Sequence, residues 1–316
     1  MGLSSVLSIC KEALSTQQSC LAVTANNIAN VNTTGYSRQN PVLATNGSVI
    51  LGGISYGTGV QLTNITKSYD QFLDANIARE KTTLGKLETE DDYLTRVETL
   101  FTESEDSGLN ALLEDFWAAW EDLSANPEGS AERAVVMSAG ESLAAAFVSR
   151  ATELESLQTD ANNEIVTVVA EVNSLTSEIA SLNNQILQAE TAGVNANDLT
   201  DQRTVKIEEL SELMDITILS GSNGQTTILS SSGNLLVSEN LSWDLTVSAD
   251  TAGDGFYTIN YSDGKTAVDI TDSISGGALR GLIEIRDEII PAYSEQLDEL
   301  AAAVITEVNQ IHYAGY

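Results

Sequence analysis

The groups that could carry chemistry are 46 carboxylates, one imidazole (His312) and two thiols (Cys10 and Cys20). Paired carboxylates can cleave a glycosidic bond, one as acid and the other as base or nucleophile. With so many acids in 316 residues, such pairs arise by chance and single out no site. His312 falls in a helical pattern with no nucleophile beside it in sequence, and reads as a structural histidine. The chain has no HExxH, no GxSxG and no zinc-type cysteine spacing. Gly57-Thr58-Gly59 lacks the lysine and the following helix of a phosphate loop. Asp250, Asp254 and Asp263 miss the spacing of a twelve-residue calcium loop and read as turn residues. Ten residues apart on one helix, the cysteines stand ~15 Å apart along its axis, too far for a disulfide. They read as small apolar residues on a helix face. No catalytic, cofactor or metal site is assigned, and no enzyme is expected. Wall hydrolysis lost on substitution of one carboxylate would overturn that expectation.

Charge narrows the partners. The net charge is −32, with only 14 Lys and Arg. A phosphate-binding surface needs clustered cations, so neither nucleic acid nor an anionic lipid surface is expected. No run of ~18 apolar residues suggests membrane insertion. The N-terminus lacks the basic region and apolar core of a cleavable signal.

With no reaction to position, the question becomes what the elements present. Residues 3–30 read as a helix in which Leu7, Leu14, Leu21 and Ile28 recur every seven positions. Leu3, Cys10, Gln17, Thr24 and Val31 form a half-polar second row. So thin a stripe is marginal alone. It implies either a helix docked on its own domain or one that orders inside an assembly. Asn30 to Gly35 stops it, because Asn and Gly tolerate left-handed backbone and Asn and Thr bond nearby backbone groups.

Short strands are expected at 41–43, 48–51 and 60–65. A polar helix is expected at 69–105, with Tyr69, Phe72, Leu73, Ile77, Leu84, Leu87, Leu94, Val97 and Phe101 as its apolar side and Gly85 as a mild interruption. A second helix at 108–125 places Leu109, Leu112, Leu113, Phe116, Trp117, Trp120 and Leu123 in a core. From 131 to 190 a heptad seam runs through Leu143, Phe147, Arg150, Leu154, Leu157 and Ala161. It then steps by four to Ile165 and resumes to Ile186, a stutter within a rod ~70 Å long. Asp198 is placed to cap a return helix reaching Met214. Residues 215–280 read as β, including a strand at 243–247, with turns between. A last helix at 278–313 is kinked or started by Pro291.

Residues 27–38, Asn-Ile-Ala-Asn-Val-Asn-Thr-Thr-Gly-Tyr-Ser-Arg, resemble the N-terminal signature of bacterial flagellar rod, hook and hook-associated proteins. Gly57-Thr58-Gly59-Val60 and 67–73 follow in the same order. Residues 115–117 with 123–128 and Arg133, then 197–203, then 276–282 through 307–312, resemble the hook-associated proteins that join hook to filament. That resemblance implies a structural subunit of the hook–filament junction. It also implies export without a cleaved signal peptide, assembly outside the cell on the flagellum, and no cofactor. The partners it implies are neighbouring copies, hook protein, a second junction protein and a secretion chaperone. The alternatives are another axial protein of hook or rod type, or an extracellular enzyme or adhesin.

The expected fold is mainly α with a smaller β part, an elongated, coiled-coil-like bundle of long helices with an antiparallel β subdomain. Its expected divisions are an assembly helix and bend (1–40), a β-rich segment (41–68), a long-helix rod (69–214), an inserted β subdomain (215–280) and a return helix (281–316). The assembly residues are Leu7, Leu14, Leu21, Asn27, Ile28, Asn30, Thr33, Gly35, Tyr36 and Arg38. No second leucine seam precedes Tyr316, so a C-terminal partner segment is expected beyond it.

Overall fold

The computed structural model describes residues 2–102, 108–221, 224–250, 255–264 and 267–314. Helices α1 to α7 span Leu3–Ala29, Gln71–Phe101, Leu109–Ala125, Ser130–Thr191, Asn197–Leu213, Gly277–Glu284 and Ile290–Ala314. Strands β1 to β4 are Gln39–Thr45, Ser48–Leu51, Ile54–Gly57 and Val60–Lys67. Strands β5 to β8 are Ile216–Ser220, Thr226–Ser230, Leu235–Ser238 and Leu241–Ser242. Strands β9 to β11 are Leu245–Ala249, Tyr257–Ser262 and Ala267–Asp269. The fold class is the expected one, mainly helical with small antiparallel sheets. The chain divides into two compact units.

The first unit comprises Met1–Lys81, Val172–Ser211 and Ile216–Asp244. In it α1 lies on the antiparallel ribbon β1–β4. Its docked face is Ile9, Ala13, Thr16, Cys20, Val23 and Asn27, at alternating steps of four and three. Thr16 donates to the Val60 carbonyl at 3.1 Å. Strands β5 to β8 form a four-stranded sheet, pinned by Asn183 of α4 and Arg203 of α5. Asn183 donates to the Thr226 and Glu239 carbonyls and accepts from the Thr226 amide and from Arg203 Nη1. The same Nη1 donates to Gly224 O at 2.7 Å.

The second unit comprises Thr82–Glu171, Glu212–Asp215 and Leu245–Tyr316. Phe116 and Ala119 of α3 pack on Val136 and Leu143 of α4, with Val304 and Val308 of α7 against them. The device of Asn183 recurs here at Asn162, three heptads earlier on α4. Asn162 Oδ1 accepts from the Tyr257 amide and from Arg286 Nη1, and Nη1 also donates to the Tyr257 carbonyl. In each unit a buried guanidinium bonded to the asparagine and to a backbone carbonyl thus ties the β segment to the long helix, and Arg286 is paired in addition with the Asp287 carboxylate.

The long seam is the one read from the sequence. Leu154, Ala161, Ile165, Val172, Ile179 and Ile186 are fully buried, and burial shifts by one position at Ala161–Asn162, where the stutter is expected. Over one 18-residue window α4 is apolar enough to cross a membrane by length and composition. Half of that window is buried inside the protein, as a core helix requires.

Several expectations change. Of the apolar side expected for α2, Val97 is buried as expected but most of the rest is exposed, and Ala78, Gly85 and Tyr93 are buried beside it. The reason is close approach: a Cβ on Gly85 would stand 2.0 Å from the Glu212 carbonyl oxygen, and one on Gly281 2.9 Å from that of Lys86. Gly85 is therefore a contact point and not an interruption. Trp117 is exposed on the rim of the α3 core, whereas Trp120 enters it. Asp198 lies inside the first turn of α5, and Ala196 supplies the first helical acceptor, to Thr200. Strand β3 was missed, and Trp243 sits between β8 and β9. A π-turn, Ile285–Ile289, joins α6 to α7 without a break and directly precedes Pro291, so the missing proline N–H is accommodated by a local change of helical hydrogen bonding and does not start the helix. Of the three turn aspartates, Asp254 lies outside the described residues. Among those residues no group of three or more His, Cys, Asp or Glu is placed to hold a metal.

Candidate assembly surface

All ten residues singled out from the sequence lie in the first unit. They fall into two groups. Leu7, Leu14, Leu21 and Ile28 are 70, 63, 69 and 70% exposed. At 100° per residue this seam lies roughly 130° around α1 from the docked face. The helix is therefore seated on its own unit through a mixed face of short apolar and polar side chains with Ile9 and Val23, and the leucines of the seam face outward. Cys10 is exposed with them, while Cys20 belongs to the docked side, and both are free thiols.

The second group builds the bend. Asn27 Nδ2 donates to the Gln39 carbonyl at 2.8 Å and its Oδ1 accepts from the Gln39 amide at 2.9 Å. The side chain thus pairs with β1 as a strand would. The same Oδ1 accepts from the Tyr36 hydroxyl at 2.8 Å. Asn30 Nδ2 donates to the backbone and side-chain oxygens of Asn26, and its Oδ1 accepts from Thr33 Oγ1 at 3.2 Å. Gly35 turns the chain at φ +76°, and a Cβ there would meet Val205 Cγ2 at 2.1 Å, so both backbone and space require glycine. Arg38 contributes its carbonyl, which accepts from the Ser68 amide at 2.8 Å, and its side chain is exposed.

Five residues not singled out complete the bend. Gln39 Nε2 donates to Asp198 Oδ1 at 2.9 Å. Asp201 accepts from the Ser37 amide on one oxygen and from Lys67 Nζ, at 3.0 Å, on the other. Both the lysine and the aspartate side chains of that pair are largely buried. A signal was present: Asp201 and Arg203 occur on the same short helix as its apolar positions, where buried charge demands partners. Burial first, then the Asp198 and Asp201 charges, raise the Tyr36 hydroxyl above its ordinary range. It stays protonated and donating to Asn27.

A cavity of about 380 Å³ lies in the same unit, lined by Tyr69, Asp74, Glu190, Arg203 and Thr204 among others. Burial raises both Tyr69 and Asp74, and lowers Arg203. Its polar groups form no nucleophile–base pair of the kind acyl or glycosyl transfer needs. The bend itself holds amides, hydroxyls and an ion pair that satisfy one another. Its chemistry is that of fixing a backbone course.

An outward leucine seam, a bend locked by asparagines and long helices are the features of a subunit that packs against other chains. Residues 9–36 match the family described as flagella basal body rod protein. Residues 94–316 match the flagellar hook-associated protein FlgK helical domain, and the chain belongs to that family. It is 30% identical to flagellar hook-associated protein 1 of Bacillus subtilis, over 98% of this chain and 67% of that protein. It is 26% identical to the Escherichia coli protein of the same name, over 99% of this chain and 58% of that one. Among solved structures, the flagellar hook junction protein FlgK from Burkholderia pseudomallei superposes with a TM-score of 0.59 at 25% identity. That superposition covers 67% of this chain and 38% of the other. The chain thus spans from under two fifths to two thirds of the length of these relatives.

Proposed function

We propose that this chain is a structural subunit of the bacterial flagellum at the junction between hook and filament, exported and assembled there without catalytic activity. The observation that carries the proposal is the orientation of α1. The helix is docked by the face of Ile9, Ala13, Thr16, Cys20, Val23 and Asn27, and four large aliphatic side chains are held out in a row on another face. Isolated soluble domains rarely leave such a row uncovered, and a seven-residue repeat is the pattern by which helices of neighbouring subunits pack. The bend then fixes the direction in which the chain leaves that packing. Neighbouring copies, hook protein and a second junction protein are the partners this reading assigns, with a secretion chaperone before export. Residues 1–40 serve as the assembly segment and the long helices as the body.

The test is a Leu14→Asp/Leu21→Asp pair in cells. Because both side chains are exposed, the melting temperature of the purified variant should stay within about 2 °C of the parent. Incorporation at the hook tip, scored by immunolabelling of isolated hook–basal bodies, should be lost. A variant that still joined hook to filament would remove the role given to the seam.

A further inference from the structure

Charge is distributed unevenly along this chain. The first 66 residues contain Lys11, Glu12 and Arg38 and no other charged side chain, a net of +1. The remaining 250 carry −33. From Ala13 to Thr66 the only charge is Arg38. Copies of such a chain repel one another everywhere except over this N-terminal part.

This sparsely charged part holds a second exposed apolar feature besides the seam. Among the described residues, strands β2 and β3 pair only with each other, through Ser48↔Gly57, Val49↔Tyr56, Ile50↔Ser55 and Leu51↔Ile54. Gly52 and Gly53, at φ +61° and +82°, supply the two-residue turn of such a hairpin. Val49, Ile54 and Tyr56 share one face and Ile50 takes the other. Val49, Ile50 and Ile54 are 49, 71 and 59% exposed. A lone two-stranded hairpin is marginal in water, and natural edge strands are normally guarded by charge or proline. This one has neither.

We propose that the β2–β3 hairpin is a self-association contact, covered in the assembly by the sparsely charged N-terminal part of a second copy. This inference rests on the assembly role proposed for α1 and adds a surface to it. The hairpin of one copy and the helix of the next present different surfaces, so the contact is heterologous and propagates around a ring or along a tube. A contact with so few charges responds to salt differently from an interface of ion pairs. Added salt shortens the screening length from ~30 Å at 0.01 M to ~3 Å at 1 M. That relieves repulsion between the acidic parts and leaves the contact intact, so association strengthens with salt.

The experiment is sedimentation velocity on the full chain over a series of NaCl concentrations. The parent and two variants are compared, Val49→Thr/Ile54→Thr and Leu14→Asp/Leu21→Asp. Threonine keeps the β-branched shape that strands favour, and circular dichroism checks that the variants fold. The parent should associate at least tenfold more tightly at 1 M than at 0.05 M NaCl, and the hairpin variant should lose at least tenfold at 1 M. Unchanged association in the hairpin variant, with loss in the helix variant, overturns the hairpin contact and leaves the seam's role standing. Loss in the hairpin variant alone supports the hairpin and counts against the seam. A parent that stays monomeric throughout, or that dissociates as salt rises, overturns the proposal.

Discussion

Asn27 holds the bend with two side-chain atoms. It donates once and accepts twice, and its three partners are the Gln39 amide, the Gln39 carbonyl and the Tyr36 hydroxyl. No other residue type offers a donor and a two-lone-pair acceptor at that reach. Asn27→Asp keeps both accepted bonds but sets a carboxylate against the Gln39 carbonyl. At about 1 kcal/mol per hydrogen bond, Asn27→Ala should cost about 2–3 kcal/mol and Tyr36→Phe about 1. The two share one oxygen, so their effects should fall short of additive in a double-mutant cycle by denaturant unfolding. Amide exchange at Gln39 should accelerate in Asn27→Ala before any global change. Unchanged exchange would mean the bend is held elsewhere. Most of this cluster was legible, because Asn, Thr and Gly at a helix end have local backbone partners. Its anchors were not: Asp198 and Asp201 lie more than 150 residues away, and only the fold brings them to Gln39 and Ser37.

At the scale of elements, the seam of α4 was read correctly because a heptad repeats many times and its errors average out. The face of α2 was read correctly at Val97 and wrongly around Gly85, because burial there is set by how closely another backbone approaches, and glycine carries no hydrophobic signal. The glycines test that explanation, since one substitution should have opposite signs at two helical sites. Gly85→Ala gains up to about 1 kcal/mol of helix propensity, but its Cβ meets a carbonyl oxygen at 2.0 Å. It should destabilise by at least about 2 kcal/mol. In Gly140→Ala the new Cβ meets the Phe116 ring at 3.4 Å, an ordinary contact. That variant should be neutral or stabilised by up to about 1 kcal/mol. A melting temperature that rises in both variants would refute the close-approach account of α2. Trp120 offers a third check on the helices. Its indole nitrogen is buried with no acceptor among the described residues, so Trp120→Phe should cost less than the 3–5 kcal/mol typical of losing a large core ring.

For the whole molecule, acidity governs the response to pH, which separates into a local and a global part. The local part is the cluster of Lys86, Arg280 and Glu284 in the second unit. Lys86 Nζ and Arg280 Nε both donate to Glu284, at 2.8 and 2.5 Å. Burial alone would raise Glu284, but the hydrogen bonds from Lys86 and Arg280 outweigh it and hold the carboxyl at about 2. Glu90 beside it is raised, by burial first and then by its hydrogen bond with Glu284. A depressed folded value means the stabilisation is complete above the unfolded range of about 4.3 and is lost as pH falls toward 2. Glu90 acts in the opposite sense, since protonating it relieves the folded state, so the net loss is smaller than Glu284 alone would give. Discharging the −32 over the same window removes repulsion and masks that loss in any single profile. The difference between the parent and Glu284→Gln cancels the global part, because the variant removes one charge among 46 acids. That difference should hold steady from pH 7 to about 4.5, at about 1–3 kcal/mol in favour of the parent. It should then close between about 4.5 and 2, read by urea unfolding at each pH. A difference that stayed level to pH 2 would mean that Lys86 and Arg280 do not hold the Glu284 carboxylate in the folded protein.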